Sequence, residues 1–227
     1  MTTESVSTRN LKQAIERYKK DHRREDGSIN PDAWCAACME AKSFHEAVGI
    51  ATSARDRLNR KHPHQKRISD KLPEEFAQSL QKESQALARA ADFTKLMSLV
   101  SAAALAGIGD LAVYDTALRL GFRRNIRPTL VYLHRGTLSG AQLLGVTAKE
   151  SIAKDCLPDP LKNSDLDPGE LEDFLCIFHK TAGSTGSESC GSGEGSRRRG
   201  ACTEGHTGTL RPKVCGPKVC EPKGCGR

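Results

Sequence analysis

Apolar side chains recur every three or four residues along most of this chain, which is the spacing of one face of an α-helix. The pattern is clear over Leu11–Tyr18, Phe93–Ala104 and Leu171–Phe178. Aromatic residues make up only 4% of the chain, and Ala and Leu carry much of the apolar content, which favours close-packed helices over a β-sandwich. The sequence therefore predicts a mainly α-helical fold, a compact multi-helix domain over residues 7–181.

Residues that start and stop helices divide this pattern into segments. Ser43 and Glu46 form a capping box, and Asp167-Pro168-Gly169-Glu170 combines a cap, a proline and an acidic residue at the positions they prefer. Thr129–Leu133 is short and β-prone, so we expect it to be extended. The predicted N-terminal caps are Asn30, Ser43, Asp92, Thr137 and Asp167, and the predicted helix ends are Pro63, Gly121 and Gly145.

The composition changes after Ala182. Gly183–Arg227 consists mostly of Gly, Ser, Thr, Pro and charged residues, and it contains three copies of a five-residue Pro-Lys repeat from Pro212 onward. Such a segment buries too little apolar surface to offset the entropy lost on ordering. We therefore predict a disordered, low-complexity basic tail over residues 183–227.

The charge balance and the cysteine content bear on partners and location. The formal net charge of +7 is compatible with a polyanionic partner. Met1–Arg9 lacks the apolar region of a signal peptide, and the uncharged stretch Leu96–Gly109 is shorter than a membrane span of about 20 residues. We expect a cytoplasmic protein with no membrane association, in which the nine cysteines are thiols.

A Gly-x-Gly segment lies between two helical patterns. Gly107, Ile108 and Gly109 form a hairpin that leaves backbone N–H groups free at the start of the next helix, where a phosphate oxygen binds well. The surrounding region, about 92–121, is thus a helix-hairpin-helix-like unit. The alternative is an ordinary turn between helices, and Asp110 favours this in part because its carboxylate would repel a phosphate.

Basic side chains provide the positive charge that a phosphate-binding surface requires. With the hairpin they form a predicted nucleic-acid-binding set. Its further members are Lys66, Arg67, Arg119, Arg123, Arg124, Arg135 and Thr137.

Two titratable residues are candidates for acid–base catalysis. Asp115 lies in an otherwise apolar helical segment and needs a partner if it is buried, with Arg119 four residues later as the nearest candidate. His134 follows a β-prone segment and has a pKa suited to proton transfer. The alternative is structural: an Asp115–Arg119 ion pair and a hydrogen-bonded histidine in a turn.

No cofactor is predicted from the other residues that could bind a metal or take part in redox chemistry. His62 and His64 flank a proline, but no further ligand lies at zinc spacing, so an exposed basic loop is favoured and no metal site is predicted. Cys35 and Cys38 lie within a helical apolar stripe rather than after a strand, so we interpret them as core cysteines.

Four segments of the chain carry a family resemblance: Gly107–Arg119, Tyr132–Thr137, His62–Gln65 and Glu172–Cys176. They resemble a group of uncharacterised bacterial proteins, a resemblance that implies no catalytic residues. The hairpin glycines are also loosely similar to those of helix-hairpin-helix domains in DNA-repair proteins. That similarity implies phosphate contact at Gly107 and Gly109.

Three classes of function follow from these features. The leading hypothesis is a non-catalytic protein that binds DNA or RNA through the hairpin and basic side chains. The second is an enzyme acting on nucleic acid or a nucleotide, with Asp115 and His134 as acid and base. The third is a helical domain that binds a protein partner and no nucleic acid.

Overall fold

Helices form nearly all of the regular structure in residues 8–182, the part of the chain described by this computed structural model. The mainly α-helical fold is confirmed, and the predicted tail over 183–227 lies outside the described residues. The described helices are α1 Thr8–His22, α2 Ala33–Met39, α3 Phe44–Ser53, α4 Lys71–Lys82, α5 Ser84–Ala88, α6 Phe93–Ala102, α7 Asp110–Arg123, α8 Arg135–Leu143 and α9 Pro168–Ala182. Single 3₁₀ turns lie at Pro63–Gln65 and Lys154–Cys156.

Three of the predicted helix starts are confirmed by side-chain caps. The Ser43 hydroxyl accepts the N–H of Glu46 at 3.1 Å, and the Asp92 carboxylate accepts an N–H of α6 at 2.8 Å. At α9 the cap is reciprocal: Asp167 accepts the N–H of Glu170 at 2.8 Å, and Glu170 accepts the N–H of Asp167 at 2.8 Å. These contacts satisfy N–H groups that have no partner within the helix.

The two other predicted starts are wrong. Asp32, not Asn30, caps α2, because its carboxylate accepts the N–H groups of both Trp34 and Cys35, at 3.0 and 2.6 Å. Thr137 lies inside α8 rather than before it, and His134 occupies the N-cap position. The Thr137 hydroxyl is thereby free to bond to another helix.

Two predicted helix ends are also wrong. Helix α3 ends at Ser53, well before Pro63. The residue that follows, Ala54, adopts a left-handed conformation with φ of 50°. Helix α7 continues through Gly121 to Arg123, and the left-handed residue that follows it is Asn125, with φ of 54°. Gly121 permits a close approach instead, since a Cβ there would lie 2.6 Å from the carbonyl oxygen of Ile126.

The described residues contain one small antiparallel sheet. The expectation that Thr129–Leu133 is extended is confirmed for its middle part alone: Val131–Tyr132 form β1, which pairs with β2, Ser151–Ile152. In the chain β1 lies between α7 and α8, and β2 follows α8.

Buried apolar side chains form two clusters. The first lies among α2–α7 and includes Val48, Phe76, Leu80, Phe93, Leu96, Tyr114 and Leu120. The second joins α1, β1, α8 and α9 and includes Leu11, Ile15, Val131, Leu171, Phe174 and Leu175. Helix α7 thus belongs to the first cluster and α9 to the second. None of the helices in residues 8–182 combines the length and apolar character that crossing a bilayer requires.

Candidate functional site

A polar cavity of about 240 Å³ is lined by residues of α1, α2, α7, α9 and the Pro63–Gln65 turn. Its walls combine imidazole and carboxylate groups with a few apolar side chains such as Leu118 and Phe122. The titratable acidic and histidine residues that line it are His22, Asp32, His62, His64, Asp115, Glu170, Glu172 and Asp173. Groups suited to acid–base chemistry or metal ligation are therefore brought together from segments far apart in the sequence.

Three nitrogen-bearing side chains lie close to the carboxylate of Asp115 in this cavity. Its Oδ2 lies 3.4 Å from Nη2 of Arg119, 3.8 Å from Nδ1 of His62 and 3.7 Å from Nδ1 of His64. Burial raises the pKa of the Asp115 carboxyl, but contact with His64 and the charges of Arg119 and the histidines outweigh it, so the pKa lies below its ordinary value. Asp115 is therefore ionised at neutral pH.

The two histidines differ in exposure. The side chain of His62 is 13% exposed and packs edge-on against Trp34, with ring centroids 4.4 Å apart, while that of His64 is 36% exposed. Burial lowers the pKa of His62 to about 4, although the charge of Asp115 opposes this, so the ring is neutral at pH 7. The expectation of an exposed loop is wrong for His62, because its ring is enclosed by Trp34, His64 and Asp115.

The chain between α3 and the histidines is held by local hydrogen bonds. The left-handed Ala54 turns the chain out of α3, and the Asp56 carboxylate accepts the N–H groups of Leu58 and Arg60 at 3.0 and 2.8 Å. The Trp34 indole donates to the carbonyl of Arg60 at 2.9 Å. His62 then caps the 3₁₀ turn, which starts with a proline. These contacts fix the position of the histidines beside α7.

Helix α9 contributes two consecutive carboxyl groups to the cavity. Glu172 Oε1 accepts the hydroxyl of Thr137 at 2.6 Å, and burial raises the pKa of Glu172 to about 8 despite this hydrogen bond. Asp173 is about half exposed, accepts the hydroxyl of Tyr18 at 3.1 Å and lies 3.9 Å from Nδ1 of His22. The cavity thus contains an ionised carboxylate on α7 and a protonated carboxyl group on α9 at neutral pH.

Four of the predicted phosphate-binding residues are engaged in internal contacts. Arg119 is buried and donates to the carbonyl of Ala51 at 3.0 Å. Arg123 donates to three carbonyls at the end of α2 and just after it, and Arg124 donates to two carbonyls at the end of α5 and just after it. Thr137 is buried, and its hydroxyl donates to the carboxyl group of Glu172. These contacts argue against a role for the four side chains in phosphate binding.

The remaining predicted nucleic-acid residues lie at the surface. Lys66, Arg67 and Arg135 are exposed, as are both hairpin glycines, and Ile108 is half-buried. Gly107 adopts a φ of +95°, and Gly109 occupies the N-cap position of α7 without a side-chain cap. The hairpin does not line the polar cavity.

His134 does not line the cavity with Asp115. Its ring packs on Tyr114, with centroids 4.6 Å apart, and its buried Nε2 has no hydrogen-bond partner among the described residues. Burial lowers the pKa of His134, with the charge of Asp115 opposing the shift. The predicted pairing of Asp115 with His134 gains no support from a direct contact, and the imidazoles near the carboxylate are those of His62 and His64.

Sequence reasoning missed Glu172, Asp173 and His22 as cavity residues. The adjacent Glu172-Asp173 pair among apolar residues of a helix could have indicated such a site, because a buried carboxyl group lowers stability unless it has a partner. Three of the segments singled out in the sequence supply cavity residues: His62–Gln65, Gly107–Arg119 and Glu172–Cys176.

Known proteins add no information about this site. Comparisons with protein-family models, curated proteins and solved structures found no match to the chain.

Proposed function

We propose that this protein is an enzyme that performs general acid–base chemistry in the polar cavity. The supporting observation is the convergence of Asp115, Glu172 and the His62–His64 pair on one cavity from three separate segments. Buried carboxyl and imidazole groups lower stability unless they are paired, so their concentration in one cleft is typical of functional sites.

The two carboxyl groups suit opposite roles. Asp115 is close to two imidazoles and a guanidinium, and it is the proton acceptor. Glu172 has a pKa of about 8, remains largely protonated at neutral pH and is the proton donor. Environments that separate the pKa values of two carboxyl groups are a recognised means of assigning acid and base. Thr137 holds the Glu172 carboxyl in place.

The cavity favours a small polar substrate that is neutral or cationic. Five carboxyl groups line it, and its one arginine, Arg127, donates to Asp167 at 3.0 Å and stacks on Phe122. Carboxylates repel a phosphate that has no metal ion to bridge the charges. We therefore propose that, with no metal ion bound, the cavity selects a substrate without a free phosphate group, unlike the nucleotide suggested by the sequence.

Turnover of model substrates tests this proposal. Neutral and cationic chromogenic esters, amides and glycosides sample the main classes of proton-assisted bond cleavage. We expect turnover of at least one class, reduced at least about 100-fold in Asp115→Asn and in Glu172→Gln, because a positioned acid or base contributes roughly 10²–10⁴-fold. Asp110→Asn, an exposed carboxylate on the same helix, is the matched control and should retain activity.

Circular dichroism and melting curves establish that each variant is folded before its activity is measured. Absence of turnover with every class would contradict the proposal. So would turnover that persists unchanged in folded Asp115→Asn and Glu172→Gln.

A second candidate function is nucleic-acid binding at the hairpin, supported by the exposed backbone at Gly107 and Gly109. Gly109→Val is a clean test, because Gly109 has an ordinary φ of −82° and a Cβ there meets no atom within 4 Å. We expect the variant to fold and to bind DNA or RNA at least about tenfold more weakly, since the side chain blocks phosphate from the N–H groups. Gel-shift titrations at two salt concentrations measure this, and an unchanged affinity would exclude the hairpin from the binding site.

A further inference from the structure

His62, His64 and Asp115 have the arrangement of a set of metal ligands. Each offers one ligand atom, and these three atoms lie within 4.8 Å of one another. The separations between carboxylate oxygen and imidazole nitrogen are 3.7 and 3.8 Å. Ligands about 2.1 Å from a tetrahedral metal ion are about 3.4 Å apart. The two carboxylate–imidazole separations therefore need to shorten by a few tenths of an ångström, and the separation between the two imidazole nitrogens, which is at most 4.8 Å, by no more than about 1.4 Å to reach the tetrahedral spacing.

We propose that these three side chains bind a divalent first-row transition metal such as zinc or iron(II) at the wall of the cavity. Two imidazoles and one carboxylate are ligands that such ions accept, whereas magnesium and calcium prefer oxygen alone. Three protein ligands leave a coordination position for water or substrate, as in catalytic rather than structural sites. This position faces solvent through the cavity that all three residues line.

Neighbouring residues restrain the three ligands. Arg119 contacts Oδ2 of Asp115 while it is anchored on the carbonyl of Ala51, and such outer contacts orient a ligating carboxylate. The packing of Trp34 fixes the plane of the His62 ring. The backbone N–H of His64 donates to Nδ1 of His62 at 3.3 Å, a long hydrogen bond that a metal ion bound at Nδ1 would displace.

This site deepens the proposed acid–base function because it occupies the same cavity, but metal binding is measured without any turnover. With the ion bound, Asp115 is a ligand and not the proton acceptor. Loss of the metal proposal leaves Asp115 as the base and Glu172 as the acid. Conversely, if the protein binds the ion but turns over no substrate, the metal site is supported and the proposed enzymatic function is contradicted.

Cobalt(II) titration of the full-length, metal-free chain tests the proposal. We expect cobalt to bind at one site per chain and to give the visible absorption bands of a cobalt ion with few ligands. This site should give no charge-transfer band from a thiolate ligand. His64→Ala removes an exposed ligand at little cost to the core, and Asp115→Asn removes the carboxylate. Each substitution should weaken cobalt binding at this site by more than about 100-fold. Loss of a residue that only orients a metal ligand already lowers metal affinity about 10–100-fold.

His45→Ala is the matched control, because His45 is an exposed histidine outside the cavity. The nine cysteines are present in every variant, so any cobalt bound by thiols contributes equally and is recognised by its charge-transfer band. The proposal is overturned if the chain binds cobalt only through thiols. It is also overturned if folded His64→Ala and Asp115→Asn both bind cobalt as the wild type does.

Discussion

Replacement of Gly140 by alanine is expected to lower the free energy of unfolding by about 3 kcal/mol or more, because it forces apart two helices that meet backbone to backbone. A Cβ at Gly140 would collide with the carbonyl oxygen of Leu175 and would lie 2.8 Å from its carbonyl carbon and 3.2 Å from its Cα. All of these atoms belong to the backbone of α9, so no side-chain rotation relieves the clash. Either α8 or α9 must move.

The effect should extend to the cavity. Helix α8 carries Thr137, whose hydroxyl holds Glu172 on α9. A shift between the two helices lengthens this hydrogen bond of 2.6 Å and releases the carboxyl group from its position in the cavity wall. Gly140→Ala should therefore lose turnover even under conditions where most of the protein is folded.

Urea denaturation measures the stability change, and Gly49→Ala is the matched control. Gly49 lies within α3, and a Cβ there meets no atom within 4 Å. Since alanine is the better helix former by about 1 kcal/mol, the control should be unchanged or slightly stabilised. Equal stability of the two variants would show that α8 and α9 are not in the close contact described.

Three helix starts could be predicted from the sequence together with their capping residues, because capping is local. Ser43, Asp92 and Asp167 each bond to an N–H three residues further on, so the pattern that predicts the cap contains both partners. The error at Asn30 has the same origin. Asp32 lies two residues later and competes for the same role with a side chain that accepts two N–H groups.

The candidate site could not be assembled from the sequence, because its contacts are set by packing. Asp115 was identified as a polar residue in an apolar helix, but its proximity to His62 depends on the left-handed turn at Ala54 and on the loop held by Asp56. Glu172 reaches the cavity only because α9 packs against α8. Spacing along the chain contains neither of these facts.

Basic residues were the least predictable group. Arg123 and Arg124 follow each other at the end of a helix, as residues of a phosphate-binding surface often do. Both instead donate to main-chain carbonyls around the ends of other helices, which lack partners of their own. A sequence shows that a guanidinium is present but not whether a carbonyl or a phosphate receives its hydrogen bonds.

Arg119→Met is expected to lower the free energy of unfolding by about 3 kcal/mol, because removing one member of a buried ion pair leaves the other charge without compensation. Arg119 is 2% exposed, and its guanidinium lies 3.4 Å from Oδ2 of Asp115 and donates to the carbonyl of Ala51 at 3.0 Å. Methionine has a similar apolar stem and neither donor. The loss should be measured by urea denaturation in the presence of a chelator, so that no metal ion replaces the missing charge.

Arg135→Met provides the control, because Arg135 is exposed, and its stability should change by less than about 0.5 kcal/mol. A double-mutant cycle with Asp115→Asn separates the charge interaction from the lost carbonyl bond. If the pair is coupled as its geometry indicates, Arg119→Met should be less destabilising in the Asp115→Asn background, where no buried carboxylate remains. Equal costs in both backgrounds would assign the stability to the Ala51 contact alone. In that case Arg119 would support the last turn of α3 and would have no part in orienting Asp115.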